Sequence, residues 1–368
     1  MNILFITNHL NVGGITSYVF TLAGALKKRG HSVYIASSGG DMLPKFLGSG
    51  ICYIHIPMKT KKEISPKIIF SFFKLSGIIK ENKIDIIHSH SRTTQVLGCL
   101  LSRFTGAKHV FTCHGFFRRR FLRRVFPCWG DKVIAISGQV REHLIEDFKL
   151  RDKDIAVVNN GIDIDRFKAA ALKPEAQVKK KFGLSDGPVI GIIARLSDVK
   201  GHKYLIEAMK IVLDKYPRSI LLIVGVGKMQ KELTVLVNDL GINGNVNFIP
   251  EIPDTTDALA AMDIFVMPSL QEGLGLALME AMASGLAVIG SNVGGIKTLI
   301  QHGRNGLLVE PADSRALAGA ILELLDDPVR MPVLGREAQN FIQENFSQDK
   351  MALETEKEYL SVNDKKRI

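Results

Sequence analysis

The chain has 368 residues, 46% of them hydrophobic and 23% charged, a globular composition with room for two domains of ordinary size. Four scattered cysteines (Cys52, Cys99, Cys113 and Cys128), with no Cys-x-x-Cys pair, argue against a zinc site or a disulfide framework and fit a reducing cytoplasm. Charge is divided unevenly: residues 1–160 carry 24 Lys and Arg against 10 Asp and Glu, a net of +14, and the rest carries 24 against 27, a net of −3. The first half therefore faces something anionic and the second does not.

The opening Met1–Thr7 has no basic n-region and is of strand length, so no secretory signal is expected. No stretch approaches the ~18 apolar residues of a membrane span. A strand at Ile3–Thr7 leads into a Gly13-Gly14 loop. A helix through Tyr18, Leu22 and Leu26 follows, ending at Gly30, then a strand at Val33–Ala36, which completes a β-loop-α-β unit. Ser65-Pro66 predicts a helix start, with a capping hydroxyl and proline in the first turn. Further strands are expected at Ile84–Ile87, His109–Thr112, Val133–Ile136 and Ala156–Val158.

Asn159-Asn160-Gly161-Ile162-Asp163 is a turn-rich seam, after which the pattern begins again. The second series places strands at Val189–Ala194, Ile220–Val224, Val246–Ile249, Ile264–Met267, Ala287–Ile289 and Leu307–Val309. The expected fold class is α/β: two tandem doubly wound, Rossmann-like domains facing each other across a cleft, spanning 1–165 and 166–345. Ligands of such sheets bind beyond the carboxyl ends of the strands. The tail, 346–368, is expected to be a helix packed across the domain seam.

The most informative stretch runs from Pro268 to Gly285. A strand ends at Pro268, a glycine-punctuated loop carries Glu272, and the following helix carries Glu280. Loop amides and a helix N-terminus suit hydroxyls or phosphate, and each carboxylate could grip a pair of sugar hydroxyls. A buried, unpaired carboxylate is costly, so Glu280 within Leu278-Met279-Glu280-Ala281-Met282 points to a ligand.

This Glu-x7-Glu pattern, with Gly273-Leu274-Gly275-Leu276 inside it, resembles the retaining GT-B glycosyltransferases of family 4. Nearly the whole chain is similar to that family. In the first half the likeness lies in Gly13-Gly14, Gly30-His31, Ile84-Asp85-Ile86-Ile87-His88-Ser89-His90, Phe111-Thr112-Cys113-His114, Ala135-Ile136-Ser137 and the seam. In the second half it lies in Arg195-Leu196 through Lys200-Gly201-His202, Val224-Gly225-Val226-Gly227 and Gly306-Leu307-Leu308-Val309.

The resemblance implies a hexosyltransferase-type enzyme that moves a sugar from a nucleotide-diphosphate sugar to an acceptor with retention. Donor binding would fall to the second domain and acceptor binding to the first. Arg195 and Lys200 would hold the donor diphosphate, and Glu272 the transferred sugar, with backbone help from Gly273, Leu274, Gly275 and Leu276. Glu280 would hold the ribose, His114 would lie beside the donor sugar, and Gly14 would let the first loop approach the phosphate. No metal or cofactor is expected, since two cations can neutralise a nucleoside diphosphate leaving group. A UDP-sugar is favoured over a GDP-sugar, although Pro250 stands where the family commonly has glycine before the base-contacting loop.

His88 and His90 share one face of a strand without a third ligand at metal spacing and are read as packing or supporting residues. Asp163-Ile164-Asp165 imitates a metal signature but falls in a turn. Cys113 beside His114 raises a thiol nucleophile, outweighed by the buried-hydrophobe reading. In Phe116–Trp129, the residues Phe117, Phe121, Leu122 and Val125 share one helical face. Arg118, Arg119, Arg120, Arg123 and Arg124 crowd the other, as in interfacial helices. That pattern suggests a cytoplasmic enzyme held peripherally on the inner face of an anionic membrane, acting on a lipid-linked or cell-envelope glycan. Two other readings are a nucleotide-sugar epimerase of similar architecture and a basic nucleic-acid binder, for which no recognition signature is present.

Overall fold

A computed structural model of the chain describes residues 1–58, 65–117, 123 and 126–363. It divides into two compact units: Met1–Gly161 together with Gln348–Ile368, and Ile162–Ser347.

The first unit holds a seven-stranded sheet of order β3-β2-β1-β4-β5-β6-β7. Its strands are β1 Asn2–Ile6, β2 Ser32–Ser37, β3 Cys52–His55, β4 Ile86–Ser89, β5 Lys108–Cys113, β6 Lys132–Ala135 and β7 Ile155–Val157. Every neighbouring pair is parallel. Strands buried on both faces read as continuous apolar runs, which is why β1, β2 and β4–β6 are legible in the sequence. The β3 strand is not, because exposed Cys52 and His55 leave it no continuous apolar run. Leu4, Ile6, Ile68, Leu75, Ile87, Leu97 and Leu101 belong to a core in which the sheet packs on the helices Pro66–Glu81 and Arg92–Thr105. The first of these helices starts as the sequence predicts, with the Ser65 hydroxyl accepting from the Lys67 amide and Pro66 in the first turn.

The second unit holds a six-stranded sheet of order β10-β9-β8-β11-β12-β13, again parallel throughout. Its strands are β8 Val189–Ile193, β9 Ile220–Val224, β10 Val246–Ile249, β11 Ile264–Met267, β12 Ala287–Ser291 and β13 Leu307–Val309. The core gathers Ile190, Ile192, Leu221, Ile223, Ile264, Val266 and Ile289 with helix residues such as Leu205, Met209 and Leu317. In both units the strand order reverses beside the first strand, between β1 and β4 and between β8 and β11. A reversal of this kind opens a crevice at the carboxyl ends of the two strands concerned.

The sequence boundary at 165/166 falls at 161/162 in the structure, and the tail helix Gln348–Asn363 belongs to the first unit. It packs on the helix Gly14–Lys28 and on β5. Glu356 pairs with Arg29 and His31, Glu358 reaches Lys132 at 3.2 Å, and the Gly161 amide meets Met351 Sδ at 3.1 Å. No helix among the described residues is long and apolar enough to cross a membrane.

Candidate active site

In the second unit, β8 ends at Ile193 and exposed Arg195 follows within two residues, at the reversal point. Leu196 donates its amide to Val226 O at 3.0 Å, so the Gly225-Val226-Gly227 turn holds the Arg195 segment in place. A short 3-10 turn, Asp198–Lys200, then meets Gly201. Gly201 has φ +70°, and a Cβ there would lie 1.8 Å from the Pro268 carbonyl oxygen, so no other residue fits without a shift. This close approach, with the Leu270 amide donating to Val199 O at 2.8 Å, brings the Lys200 turn against the loop that leaves β11.

The consequence is a direct ion pair between Lys200 Nζ and the Glu272 carboxylate, both half-buried. The second Glu272 oxygen accepts from the Gly273 amide at 3.2 Å. Beyond it the helix Leu276–Ala283 begins at Gly275 with no side-chain cap, so its first amides point at the same loop. The loop is supported from beneath by Gly294 and Gly295. Gly295 donates to Glu272 O at 3.0 Å, Gly294 has φ +44°, and a Cβ on Gly294 would lie 2.1 Å from that same oxygen. Sequence reasoning passed over this glycine pair; its only signal was two adjacent glycines after a core strand. Glu280 is half-buried on the next helical face and accepts from the Thr255 hydroxyl at 2.9 Å. Its carboxylate is thus not stranded, as the sequence alone suggested, but tied to the loop after β10.

His202, one residue past Gly201, is buried with neither ring nitrogen partnered. Burial, with the Lys200 charge second, lowers its pKa to about 4, so it stays neutral at physiological pH.

In the first unit, exposed Gly14 opens the helix Gly14–Lys28 after β1, again without a side-chain cap. His114 follows β5, and its Nε2 is 3.1 Å from His90 Nδ1. The His90 ring lies 4.2 Å from that of His88, centroid to centroid. His88 is in turn hydrogen-bonded to Thr112 at 2.7 Å and to the Tyr359 hydroxyl of the tail helix at 2.6 Å. Tyr18 meets the His114 ring edge-on, 4.7 Å between centroids. Burial lowers the His114 pKa to about 3 and drives His88 and His90 well below the ordinary histidine value. His114 is therefore a neutral hydrogen-bonding imidazole rather than a base tuned near pH 7. The roles of Tyr18, Thr112 and Tyr359 were not legible, because only the fold brings them to His88 and His90.

The structure also places three further residues that the sequence singled out, and only Arg123 departs from its reading. The Cys113 thiol is buried, donates to Gly115 O at 3.2 Å, and is pushed up to about 12 by burial, so it is no nucleophile. Asp163 accepts from the Arg166 amide at 3.3 Å at the start of the helix Ile164–Ala171, a capping role for the first carboxylate of the Asp-x-Asp pattern. Arg123, placed by the helical wheel among surface arginines, is buried with its guanidinium 3.9 Å above the Phe117 ring and 5.7 Å from that of Phe148. A wheel counts arginine as polar and misses that its flat guanidinium stacks on aromatic faces. Arg118, Arg119, Arg120 and Arg124 lie outside the described residues. Among the described residues no group of three or more His, Cys, Asp or Glu is arranged to hold a metal ion.

Two tandem parallel α/β units of this order define a GT-B glycosyltransferase architecture. A sequence family described as "Glycosyl transferases group 1" matches residues 175–346, and "Glycosyltransferase Family 4" matches residues 12–166. The chain is 36% identical over 295 residues to a GDP-mannose-dependent monoacylated α-(1-6)-phosphatidylinositol monomannoside mannosyltransferase of Corynebacterium glutamicum, covering 74% of this chain and 75% of that one. It is 28% identical over 322 residues to a UDP-Gal:α-D-GlcNAc-diphosphoundecaprenol α-1,3-galactosyltransferase of Escherichia coli, with 83% and 82% covered. Among solved structures, HepE of Anabaena in complex with UDP-glucose superposes with a TM-score of 0.86 at 22% identity, over 98% of this chain and 100% of that one. The chain belongs to the group 1, family 4 glycosyltransferases and is an enzyme of the hexosyltransferase type.

Proposed function

We propose that the enzyme transfers a hexose from a nucleotide-diphosphate sugar, a UDP-sugar in preference to a GDP-sugar, to a lipid-linked or cell-envelope glycan. Transfer proceeds with retention, without a metal ion, and on the cytoplasmic side of a membrane to which the enzyme is peripheral. The observation that carries this reading is the Lys200–Glu272 ion pair, set at the sheet's reversal point beside open helix amides. In the donor complex the ammonium shifts from Glu272 to the diphosphate, and the freed carboxylate takes hydroxyls of the transferred sugar.

Arg195 supplies the second cation, and the amides of Gly273, Leu274, Gly275 and Leu276 complete the cradle. Glu280, positioned by Thr255, holds the ribose. The family resemblance further assigns His114 to the donor sugar and Gly14 to the phosphate. As the glycosidic bond breaks, negative charge grows on the leaving diphosphate. A unit charge ~4 Å away contributes on the order of 4 kcal/mol at an effective dielectric near 20, so two cations supply what a divalent ion supplies elsewhere. The relatives that use UDP-Gal or GDP-mannose support a nucleotide-sugar donor, and the two lipid-linked substrates among their names support the acceptor class.

The test is a thermal-shift panel of UDP, GDP, ADP and their sugars in excess EDTA. UDP at ~100 times its dissociation constant adds about 2.7 kcal/mol of stability. A shift that requires Mg²⁺ or Mn²⁺ would overturn the metal-free reading. NMR of the product's anomeric carbon checks retention, and epimerisation of the donor with no acceptor present would move the enzyme to another class.

A further inference from the structure

Sequence places the first unit's basic character in the Phe116–Trp129 segment, but the described surface puts an apolar, basic face elsewhere. On the helix Pro66–Glu81, Ile69 and Phe70 are 61% exposed and Phe73 is 71% exposed, while Ile68, Leu75 and Ile79 of the same helix are buried in the core. At ~100° per residue the three exposed side chains fall within about one quadrant of the helix, pointing away from the sheet. The neighbouring helix Arg92–Thr105 extends the patch with Phe104, 58% exposed, and Leu100. Phe72 joins the two, its ring centroid 5.4 Å from those of both Phe73 and Phe104. The apolar surface is thus continuous across two helices rather than scattered.

Its charge is of one sign. Lys67, Lys74 and Lys80 lie on the exposed side of the first helix and Arg103 on that of the second, with Lys80 Nζ 4.7 Å over the Phe104 ring. Glu81, at the helix end, is the only acidic residue in either helix. Long basic side chains around exposed aromatics are suited to an interface where the rings enter the acyl boundary and the charges stay among headgroups. A second copy of the chain fits poorly, because a two-fold contact through this face would set four cations against four.

We propose that the face formed by Phe70, Phe73 and Phe104 with Lys74, Lys80 and Arg103 docks the enzyme on an anionic lipid surface. This deepens the membrane-peripheral reading by naming its surface, and it is independent of the nucleotide site in the second unit. Docking here would leave the catalytic residues untouched while confining the enzyme to the plane that holds lipid-linked acceptors.

Sedimentation of the full chain with vesicles of equal phosphatidylcholine and phosphatidylglycerol tests the proposal. Phosphatidylcholine vesicles serve as the neutral control. Wild type is expected to partition onto the anionic vesicles, weakening with salt. Phe70→Ser with Phe73→Ser should reduce partitioning at least tenfold. Lys74→Ser with Lys80→Ser should reduce it about five-fold per charge on anionic vesicles alone. All of these positions are exposed, and an unchanged UDP-induced thermal shift shows that each variant is folded and that the nucleotide site is intact. Equal partitioning of wild type and the Phe70/Phe73 variant overturns the proposal, as does loss of partitioning only when Arg118, Arg119, Arg120 and Arg124 are changed to Ser. So does an absence of wild-type binding, or self-association that the Phe70/Phe73 change abolishes. Absence of a UDP shift in wild type would instead count against the proposed donor and leave the docking result to stand.

Discussion

Both units wind outward from their first strand and reverse at the same place, yet they furnish that place with opposite chemistry. In the second unit the carboxyl ends of β8 and β11 carry Arg195, Lys200 and Glu272, charged groups with partial access to solvent. In the first, the region beyond β4 and β5 holds buried His88, His90, Tyr18 and Tyr359 with half-buried His114, all kept neutral by desolvation. One topology therefore serves either an ionic site or a desolvated aromatic one, and the difference lies in a few loop residues. Ionic groups bind and stabilise charge that changes during reaction. Neutral imidazoles and phenols offer directional hydrogen bonds and shape, at the cost of acid sensitivity.

The comparison is sharpest at Glu272. Glu272→Ala removes the partner of Lys200 and the proposed grip on the sugar, and should lower kcat about 10²–10³-fold while the protein stays folded. Glu280→Ala, which removes the proposed ribose contact and the acceptor of the Thr255 hydroxyl, should instead weaken UDP binding about tenfold with a smaller effect on turnover. Near-wild-type kinetics for Glu272→Ala would remove the distinction between an ionic reactive centre and a neutral one.

Acid should separate the units next. An unfolded histidine takes up its proton near pH 6.5, whereas His109 waits until about 4 and His114 until about 3. The folded first unit therefore holds fewer protons than its unfolded chain as pH falls below 6.5. Each such histidine costs about 1.4 kcal/mol of stability per pH unit until its folded value is reached, and nothing is lost above pH 6.5. His88, His90, His109 and His114 all lie in the first unit, against His202 in the second. Trp129, the single tryptophan, is also in the first unit, so its fluorescence reports that unit. Its transition between pH 6.5 and 4 should precede loss of amide protection in the second unit's strands. Simultaneous opening, or the second unit opening first, would break the comparison.

Gly294→Ala probes the ionic site's foundation. The added methyl would press on the Glu272 carbonyl from 2.1 Å in a left-handed backbone, costing about 2 kcal/mol. Turnover should fall with stability, because the strained oxygen belongs to the residue that binds sugar. A variant that loses stability but keeps full kcat would show that the glycine pair merely packs.

How far the sequence revealed this depended on whether a feature was local. Parallel strands buried on both faces announce themselves, and five of the six in the second sheet begin and end where their apolar runs do or within one residue; β12 runs two residues past Ile289. Edge strand β3 does not, because Cys52 and His55 interrupt its apolar residues, whereas the edge strands β7, β10 and β13 keep theirs. Arg195, Lys200, Glu272 and Glu280 could be singled out by resemblance, but nothing local says that Lys200 touches Glu272. That contact arises from Gly201 pressing on Pro268, 67 residues later in the chain. Similarly, Thr255 beneath Glu280 and Gly294 beneath Glu272 are long-range partners with ordinary local sequences. Arg123 was misread because periodicity registers charge and not the aromatic faces a guanidinium can cover.

The smallest predicted effect concerns how the first unit keeps its neutral cluster in place. Tyr359 is the only group from the tail helix hydrogen-bonded to a histidine of the cluster among the described contacts, its hydroxyl 2.6 Å from His88 Nδ1. Tyr359→Phe keeps the ring and deletes the hydrogen-bond partner of a buried imidazole nitrogen. The expected loss is about 1–3 kcal/mol, the cost of an unsatisfied buried group rather than of an average hydrogen bond. Glu356→Gln weakens the more exposed pairs to Arg29 and His31 on the same helix and should cost under about 1 kcal/mol, since such ion pairs contribute little. Denaturant midpoints followed by Trp129 fluorescence rank the two. The UDP-induced shift should be unchanged in both, because neither side chain is assigned to the donor and Tyr359→Phe keeps the ring against His88. A Glu356→Gln loss larger than that of Tyr359→Phe would mean that surface charge, and not the buried histidine–tyrosine bond, fastens the tail to the sheet.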